Sequence, residues 1–432
     1  MRSPRLSDPL RRPVFRRLAL SYAVNEIGDW LGIVALSVLV FDRTGSALAT
    51  AALFLGTRFV PALLAPLLVT RAERVSPRRA LPIIYCGEAV AFGGLALLAT
   101  HFSLAGVVVL AIVDGTLALA GRALTRAVVA TLLEPTGELR AGNALLNVAF
   151  TGGAAIGPAI AGLAVAGFGV PTALLLDAIS FYAVGWILVT AGELPHIQPE
   201  PGHMRERLRA GFAYIRSKLV LRRLLAAQGL AFIFFAAVIP IEVIYAKATL
   251  GTGDSGYGLL LGSWGVGMVL GSFIFARTRR APLPYLLFFS TASVGAGYLG
   301  LAAAPTLAAA CAASVVGGAG NGVQWVAVVS AVQELTRASM QARVMSVLES
   351  VGAAMPGVGY LLGGLITTAA SPRTTFLVAG VGVLAVVVLA TLLLGPGWSE
   401  SGEAGEDGLD ANNEVVLELI PGSSPSNATR RS

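Results

Sequence analysis

Charge is what this sequence has least of. Only 13% of its 432 residues are charged, against roughly 25% in an average soluble domain. Of the 31 cationic residues just two are lysines, Lys218 and Lys247, and neither ends a Gly-x-x-x-x-Gly-Lys run, so no P-loop is available for nucleotide hydrolysis. Two cysteines, Cys86 and Cys311, lie inside apolar runs and exclude a disulfide framework or a thiolate metal cluster. The three histidines, His101, His196 and His203, avoid the apolar interiors and form no His-Glu-x-x-His spacing. No Gly-x-Ser-x-Gly elbow occurs. With no nucleophile and base, and no ligand set, the chain is not expected to be an enzyme or to hold a cofactor or metal.

Apolar residues are what it has most of. They make up 55% of the chain, and the mean hydropathy is +0.76. So few charges could not cover a soluble globule of this size, and the chain reads as an integral membrane protein. The net charge of +7 could suggest nucleic acid, but its distribution argues otherwise. From Pro396 onward the last 37 residues carry seven acids and two arginines, and the remaining cations fall in short clusters between long apolar runs. No nucleic-acid partner is expected.

A bilayer core of about 30 Å needs roughly 20 helical residues at about 1.5 Å each. Runs of that kind fall near 18–40, 47–69, 80–100, 104–128, 143–167, 171–192, 224–246, 256–276, 283–303, 306–332, 345–369 and 374–395. The first is too long for a signal-peptide core and contains Glu26 and Asp29, so it counts as a span. Twelve spans with both termini on one side put 27 cations on that side, three on the other, and Arg58 within a span. This asymmetry predicts cytoplasmic termini in a multi-pass protein of the cell membrane.

The polar stretch 193–223 divides the spans into two sets of six. Short matches recur across that divide: Arg78-Arg79-Ala80-Leu81-Pro82 answers Arg279-Arg280-Ala281-Pro282-Leu283-Pro284, and Glu134-Pro135-Thr136 answers Glu334-Leu335-Thr336. Both pairs sit in corresponding loops, as expected of a duplicated six-helix unit. The expected organisation is a basic N-terminus (1–17), a six-helix bundle (18–192), a linker with an interfacial helix (193–223), a second bundle (224–395) and a disordered acidic tail (396–432). Basic and apolar positions alternate at helical spacing between Met204 and Arg223, the pattern of a helix lying on the membrane surface.

Several stretches resemble the major facilitator superfamily, in particular its drug-efflux branch with macrolide and siderophore exporters. They are Gly28-Asp29, the loop Glu73-Arg74-Val75-Ser76-Pro77-Arg78-Arg79, Ala141-Gly142-Asn143-Ala144-Leu145, Gly153-x₃-Gly157-Pro158-x₂-Ala161-Gly162, Leu176-Asp177-Ala178-Ile179-Ser180-Phe181 and Gln341-Ala342-Arg343-Val344. The loop carries Val69 and Glu73 where the family has Gly and Asp. The resemblance implies two pseudo-symmetric six-helix bundles around a central cavity, alternating access, and gating by Glu73, Arg74, Arg78, Arg79 and Arg343. The span-five series Gly153, Gly157, Pro158, Gly162 resembles the one associated with antiporters. Small residues at this spacing also let helices approach closely, and a proline bends its helix.

Charges within spans are costly and face protein or a water-filled cavity. Glu26 and Asp29 lie at i, i+3 on one helical face, at a depth shared with Asp114 and Arg58. Two readings stand: a static ion pair tying spans one, two and four together, or a carboxyl among Asp29, Glu26 and Asp114 that carries protons, with Arg58 as charge partner. Asp29 ranks first because it matches the family's Gly-Asp step. Asn25, Asn321, Gln324 and Trp325 are cavity-lining candidates, and Glu349 is placed to pair with Arg343. The expected function is proton-coupled export of amphipathic or hydrophobic small molecules by a monomer embedded in the lipid bilayer. Lysolipid movement, nutrient import and a non-transporting role stay open as alternatives.

Overall fold

The computed structural model describes residues 7–190, 194–195, 204–278, 281–337 and 340–392. The acidic tail, the linker prolines Pro199 and Pro201, and Arg279 and Arg280 of the internal repeat lie outside the described residues. Among the described residues twelve helices are long and apolar enough to cross a membrane: α1 (Pro13–Thr44), α2 (Ala47–Ala72), α3 (Pro77–Thr100), α4 (Leu104–Thr136), α5 (Ala141–Phe168), α6 (Val170–Val189), α7 (Leu219–Thr249), α8 (Asp254–Arg277), α9 (Leu283–Ala303), α10 (Leu307–Glu334), α11 (Arg343–Ala369) and α12 (Pro372–Leu392). Among the described residues there is no β-strand. The expected all-helical, twelve-span architecture is the one observed.

Helix α1 begins at a basic end, which also carries Arg71, Arg74, Arg78 and Arg79 at the junction of α2 and α3. At the opposite, far end three helices start on hydroxyl caps. Ser46 accepts from the Ala49 N–H, Ser103 from the Gly106 N–H and Thr306 from the Ala309 N–H. Each satisfies one of the amides that a helix N-terminus leaves unpaired. Helices α5 and α6 follow each other with no loop between them. The break is Gly169 (φ 78°, ψ 162°), two residues before Pro171, a conformation open to glycine and closed to most other residues.

Helix α2 widens to a π-turn at Leu55–Phe59. Pro61 explains it: without an N–H it cannot bond the Thr57 carbonyl four residues back. Gly115 on α4 packs against that carbonyl, where an added Cβ would come within 2.5 Å of the oxygen. The widened turn carries Arg58 and presses Phe59 against Gly357 of α11.

The surface helix runs Met204–Ser217 and ends at the extended Lys218. It is shorter than the expected basic stretch, so Arg222 and Arg223 belong to α7. Part of its apolar side is covered by protein: Leu208, Tyr214 and Ile215 pack against a cluster that includes Val328, Val332, Val344 and Leu348, while Phe212 stays 54% exposed. Gly211 sits on the Arg343 carbonyl, and Tyr214 Oη accepts from the Arg337 N–H at 3.3 Å.

The two sets of six spans meet closely from the far end to mid-height. Gly162 of α5 faces Gly258 of α8 so tightly that a Cβ on either would come within 2.8 Å of the other's Cα. Small residues here permit backbone-to-backbone packing, which in lipid takes the place of hydrophobic burial between helices. At the far end Lys247 of α7 reaches Asp42 of α1 at 2.6 Å and Asp254 of α8 at 2.7 Å. One ammonium thus ties the two sets together.

Candidate functional site

Helix α1 places Glu26 and Asp29 on one face, and that face meets α4. Arg122 of α4 donates from Nη1 to Asp29 Oδ2 at 2.6 Å and stands 3.6 Å from Glu26 Oε1. All three side chains are well covered, at 17% exposure for Arg122, 13% for Asp29 and 3% for Glu26. A single guanidinium is therefore shared, unequally, by two carboxylates. Asn25 supports the nearer one, its Nδ2 lying 3.5 Å from Asp29 Oδ2. One turn further along α4, Arg126 donates to Tyr22 Oη at 2.9 Å and lies 5.8 Å from the centre of that ring.

Here the structure corrects the sequence reading. Arg58 was expected to balance the carboxylates, but among the described residues it makes no ion pair. It lies within electrostatic reach of Glu26 and Asp114. The balancing cation is Arg122, which lies near the end of the fourth apolar run yet is counted among the 27 cations of the basic side. The signal was present: apolar residues continue past Arg122 to Leu133, and the helix continues with them. Removing Arg122 and Arg126 from the loop tally leaves the cation asymmetry lopsided in the same direction.

Behind this pair the first six helices bury three more carboxyls. Glu88 of α3 is fully buried, and neither of its oxygens has a hydrogen-bond partner among the described residues. Asp114 leaves Oδ1 unpartnered. Asp177 of α6 accepts from Ser180 Oγ at 3.2 Å and packs against Gly28 and Gly32 of α1. The Gly28-Asp29 step has a packing reason, since a Cβ at Gly28 would stand 2.5 Å from Asp177 Oδ1. Isolated charges cannot persist in such surroundings, where ionised groups are paired or neutralised.

Arg122 also opens onto a cavity of about 390 Å³ between the two sets of six spans. Arg58 and Phe59 line one wall; Phe232, Trp325, Glu349 and Tyr360 line the other. Glu349 was expected beside Arg343. It faces this cavity instead, while Arg343 donates to Met340 Sδ at 3.4 Å. Of the four lining candidates, Trp325 lines the central cavity, and Asn321 and Gln324 line a chamber of about 30 Å³ beside it. Asn25 does not line it: it is buried within the helix contacts at 1% exposure.

The gating candidates other than Arg343 fall in three places. Glu73 and Arg74 form the turn between α2 and α3, and Arg78 and Arg79 line a groove of about 570 Å³ at the basic end with Ile83 and Val189. Gly153 and Gly157 pack on Glu26 and Trp30 of α1, and the Pro158 carbonyl and Gly162 pack on Gly258 of α8. Helix α5 thus connects the carboxylate helix to the other half of the molecule.

The comparisons with known proteins agree with this architecture. Residues 6–419 match the transmembrane secretion effector family. No curated protein matches the sequence at a significant level. Among solved structures, the nucleoside transporter NupG superposes with a TM-score of 0.70 at 12% identity, covering 88% of this chain and 98% of that one. A bacterial homologue of the human lysosomal transporter Spinster, inward-facing and unoccupied, gives 0.67 at 15% identity over 94% and 98%. A POT family transporter in complex with a thioalcohol-conjugated peptide gives 0.68 at 14% identity over 88% and 96%. At these identities the likeness is one of fold. With the family match spanning nearly the whole chain, the protein belongs to the transmembrane secretion effector family and is a multi-pass membrane transporter of the major facilitator fold.

Proposed function

We propose that the protein is a proton-coupled secondary transporter that exports amphipathic or hydrophobic small molecules across the cell membrane, with its basic end in the cytoplasm. The observation that carries the reading is the double engagement of Arg122, which lines the central cavity while pairing Asp29 and Glu26. A group that touches both the substrate space and the carboxylates can couple the two. The contacts closing the far end, Lys247 with Asp42 and Gly162 with Gly258, support an arrangement in which the cavity serves the basic side. The excess of arginines at that end supports its cytoplasmic placement.

In this reading Asp29 and Glu26 have different tasks. Asp29 has its charge matched at 2.6 Å, whereas Glu26 stands an ångström further from the same nitrogen and its Oε1 has no hydrogen-bond partner among the described residues. A proton arriving from the far side displaces the weaker ionic partner at the lower cost. Glu26 is therefore the carrier and Asp29 the anchor that keeps Arg122 in place, reversing the order set by the Gly-Asp step. Proton uptake at Glu26 leaves Arg122 freer to swing toward the cavity, and proton release draws it back.

Efflux from proteoliposomes across a compound panel, with and without an imposed proton gradient, tests the reading. Glu26→Gln keeps the side-chain volume and fixes the neutral state, so gradient-driven export collapses while downhill substrate exchange persists. Retention of gradient-driven export in Glu26→Gln, with its loss in Asp29→Asn, would return the carrier role to Asp29. Gradient-independent export in the wild type would remove proton coupling altogether.

A further inference from the structure

A second cavity, in the later six helices, is not needed to explain the carboxylate site. A groove of about 680 Å³ lies between α7, α9, α10 and α12 toward the basic end. This lies inside the range of about 300–1,000 Å³ typical of small-molecule sites. Its outer rim is Tyr285, Phe288, Phe289 and Thr391, all exposed on the outer surface of membrane-spanning helices. None of the side chains lining it is charged.

The groove does not end blindly. Its inner wall is formed by Gln228, Ala231 and Gln324, and the same three residues line the 30 Å³ chamber. That chamber in turn shares Phe232 and Trp325 with the central cavity. The two rings, with centroids 6.4 Å apart, form the partition. Groove, chamber and central cavity therefore follow one another in a line, joined by shared walls.

The chamber is polar in an unusual way. Gln228 is only 6% exposed and makes no side-chain hydrogen bond among the described residues; Asn321 and Gln324, half-buried beside it on the chamber wall, make none either. Buried amides are ordinarily satisfied, and an unsatisfied one is expensive. Three amides converging on a space that holds about one or two waters make a reader for a hydroxyl or carbonyl group. Neither the chamber nor the groove is lined by a charged side chain, so they offer no direct partner for an ionic head.

We propose that this groove is a binding site for an uncharged amphiphile with a single apolar arm, taken from the membrane leaflet at the basic end. The arm lies in the groove and its hydroxyl or carbonyl head meets Gln228, Gln324 and Asn321. The Phe232–Trp325 pair is then the door through which the head enters the central cavity. This inference rests on the transport reading only for that last step; binding in the groove stands or falls independently.

The test uses the full chain in phosphatidylethanolamine–phosphatidylglycerol proteoliposomes, with no gradient. Three probes bearing a diazirine at the end of an acyl chain are compared: a monoacylglycerol, a fatty acid and a diacyl phosphatidylglycerol. The monoacylglycerol is expected to label residues 284–291 and 386–391 selectively over other lipid-facing positions such as Ile83, Val90 and Trp186. Gln228→Leu, close to isosteric, lowers that labelling about three- to tenfold, the worth of one hydrogen bond to a buried amide. Ala231→Phe blocks the inner wall and lowers it further; Ala227→Trp, at a half-buried wall position, serves if the first variant is not monodisperse. Equal labelling by phosphatidylglycerol, evenly spread adducts, or undiminished labelling in Gln228→Leu would overturn the site. Equal labelling by the fatty acid would overturn the neutral head. Labelling of the groove without gradient-driven export of any compound would sink the transport reading alone, and unlabelled protein that still exports would sink the groove alone.

Discussion

Replacing Arg122 with Met removes one charge from a buried set and leaves two. Methionine keeps the length and much of the volume of the arginine stem, so the loss is chiefly electrostatic. Breaking a buried ion pair by removing one partner costs about 3–5 kcal/mol, because the remaining charge is left without compensation. The alternative available to the protein is to take up protons. For one carboxyl with an ordinary solution value near 4, neutralisation at pH 7 costs about three units at 1.36 kcal/mol each, or ~4 kcal/mol, which falls in the same range. The two estimates agree because they describe the same event. The second carries a pH dependence: between pH 7 and pH 5 the cost falls by about 2.7 kcal/mol for each carboxyl that must be neutralised. Arg122→Met should therefore lower the melting midpoint of the purified protein strongly at pH 8 and much less at pH 5. Neutralising both carboxyls as well, in the triple variant Glu26→Gln, Asp29→Asn, Arg122→Met, should recover most of the loss at pH 8, since coupled residues are non-additive. Fluorescence-detected size-exclusion melting in detergent across that pH range measures it. A single variant as stable as wild type at pH 8, or a loss independent of pH, would refute the claim that Arg122 neutralises Glu26 and Asp29.

The remaining predictions concern gates and walls. Lys247→Met removes the ammonium that joins Asp42 to Asp254; a cysteine placed near residue 46 should then react with a membrane-impermeant thiol reagent several-fold faster, and an unchanged rate would show that the ion trio does not hold the far end shut. Gly162→Leu would drive a side chain into the Gly258 backbone; transport should be lost, with folding costs of about 1–3 kcal/mol from overpacking, and normal export would show that this close approach is dispensable. Glu349→Gln, on the cavity wall opposite Arg122, should alter substrate preference between cationic and neutral compounds without affecting the melting midpoint, and an identical transport profile would remove Glu349 from the cavity's chemistry.

Much of this protein could be read from the sequence alone. Bilayer thickness fixes how long an apolar helix must be, and positive charge marks one end, so the twelve spans and the basic side follow from composition and spacing. The hydroxyl caps at Ser46, Ser103 and Thr306 and the break at Gly169-Val170-Pro171 are local too, set within a few residues of backbone. The partner of Asp29 was not local. Arg122 lies 93 residues away, and from the sequence it competes with Arg58, which sits at a similar depth. Only the packing of α1 against α4 and α5, allowed by Gly153 and Gly157, decides between them. The same holds for Glu349, which faces the cavity because α11 turns that side away from Arg343, and for Gln228, an ordinary polar residue in an apolar run until α9, α10 and α12 enclose a chamber around it. A sequence sets how deep each group lies in the membrane. Which groups meet at that depth depends on how each helix is rotated about its axis, and that rotation is set by side-chain packing between helices far apart in the chain.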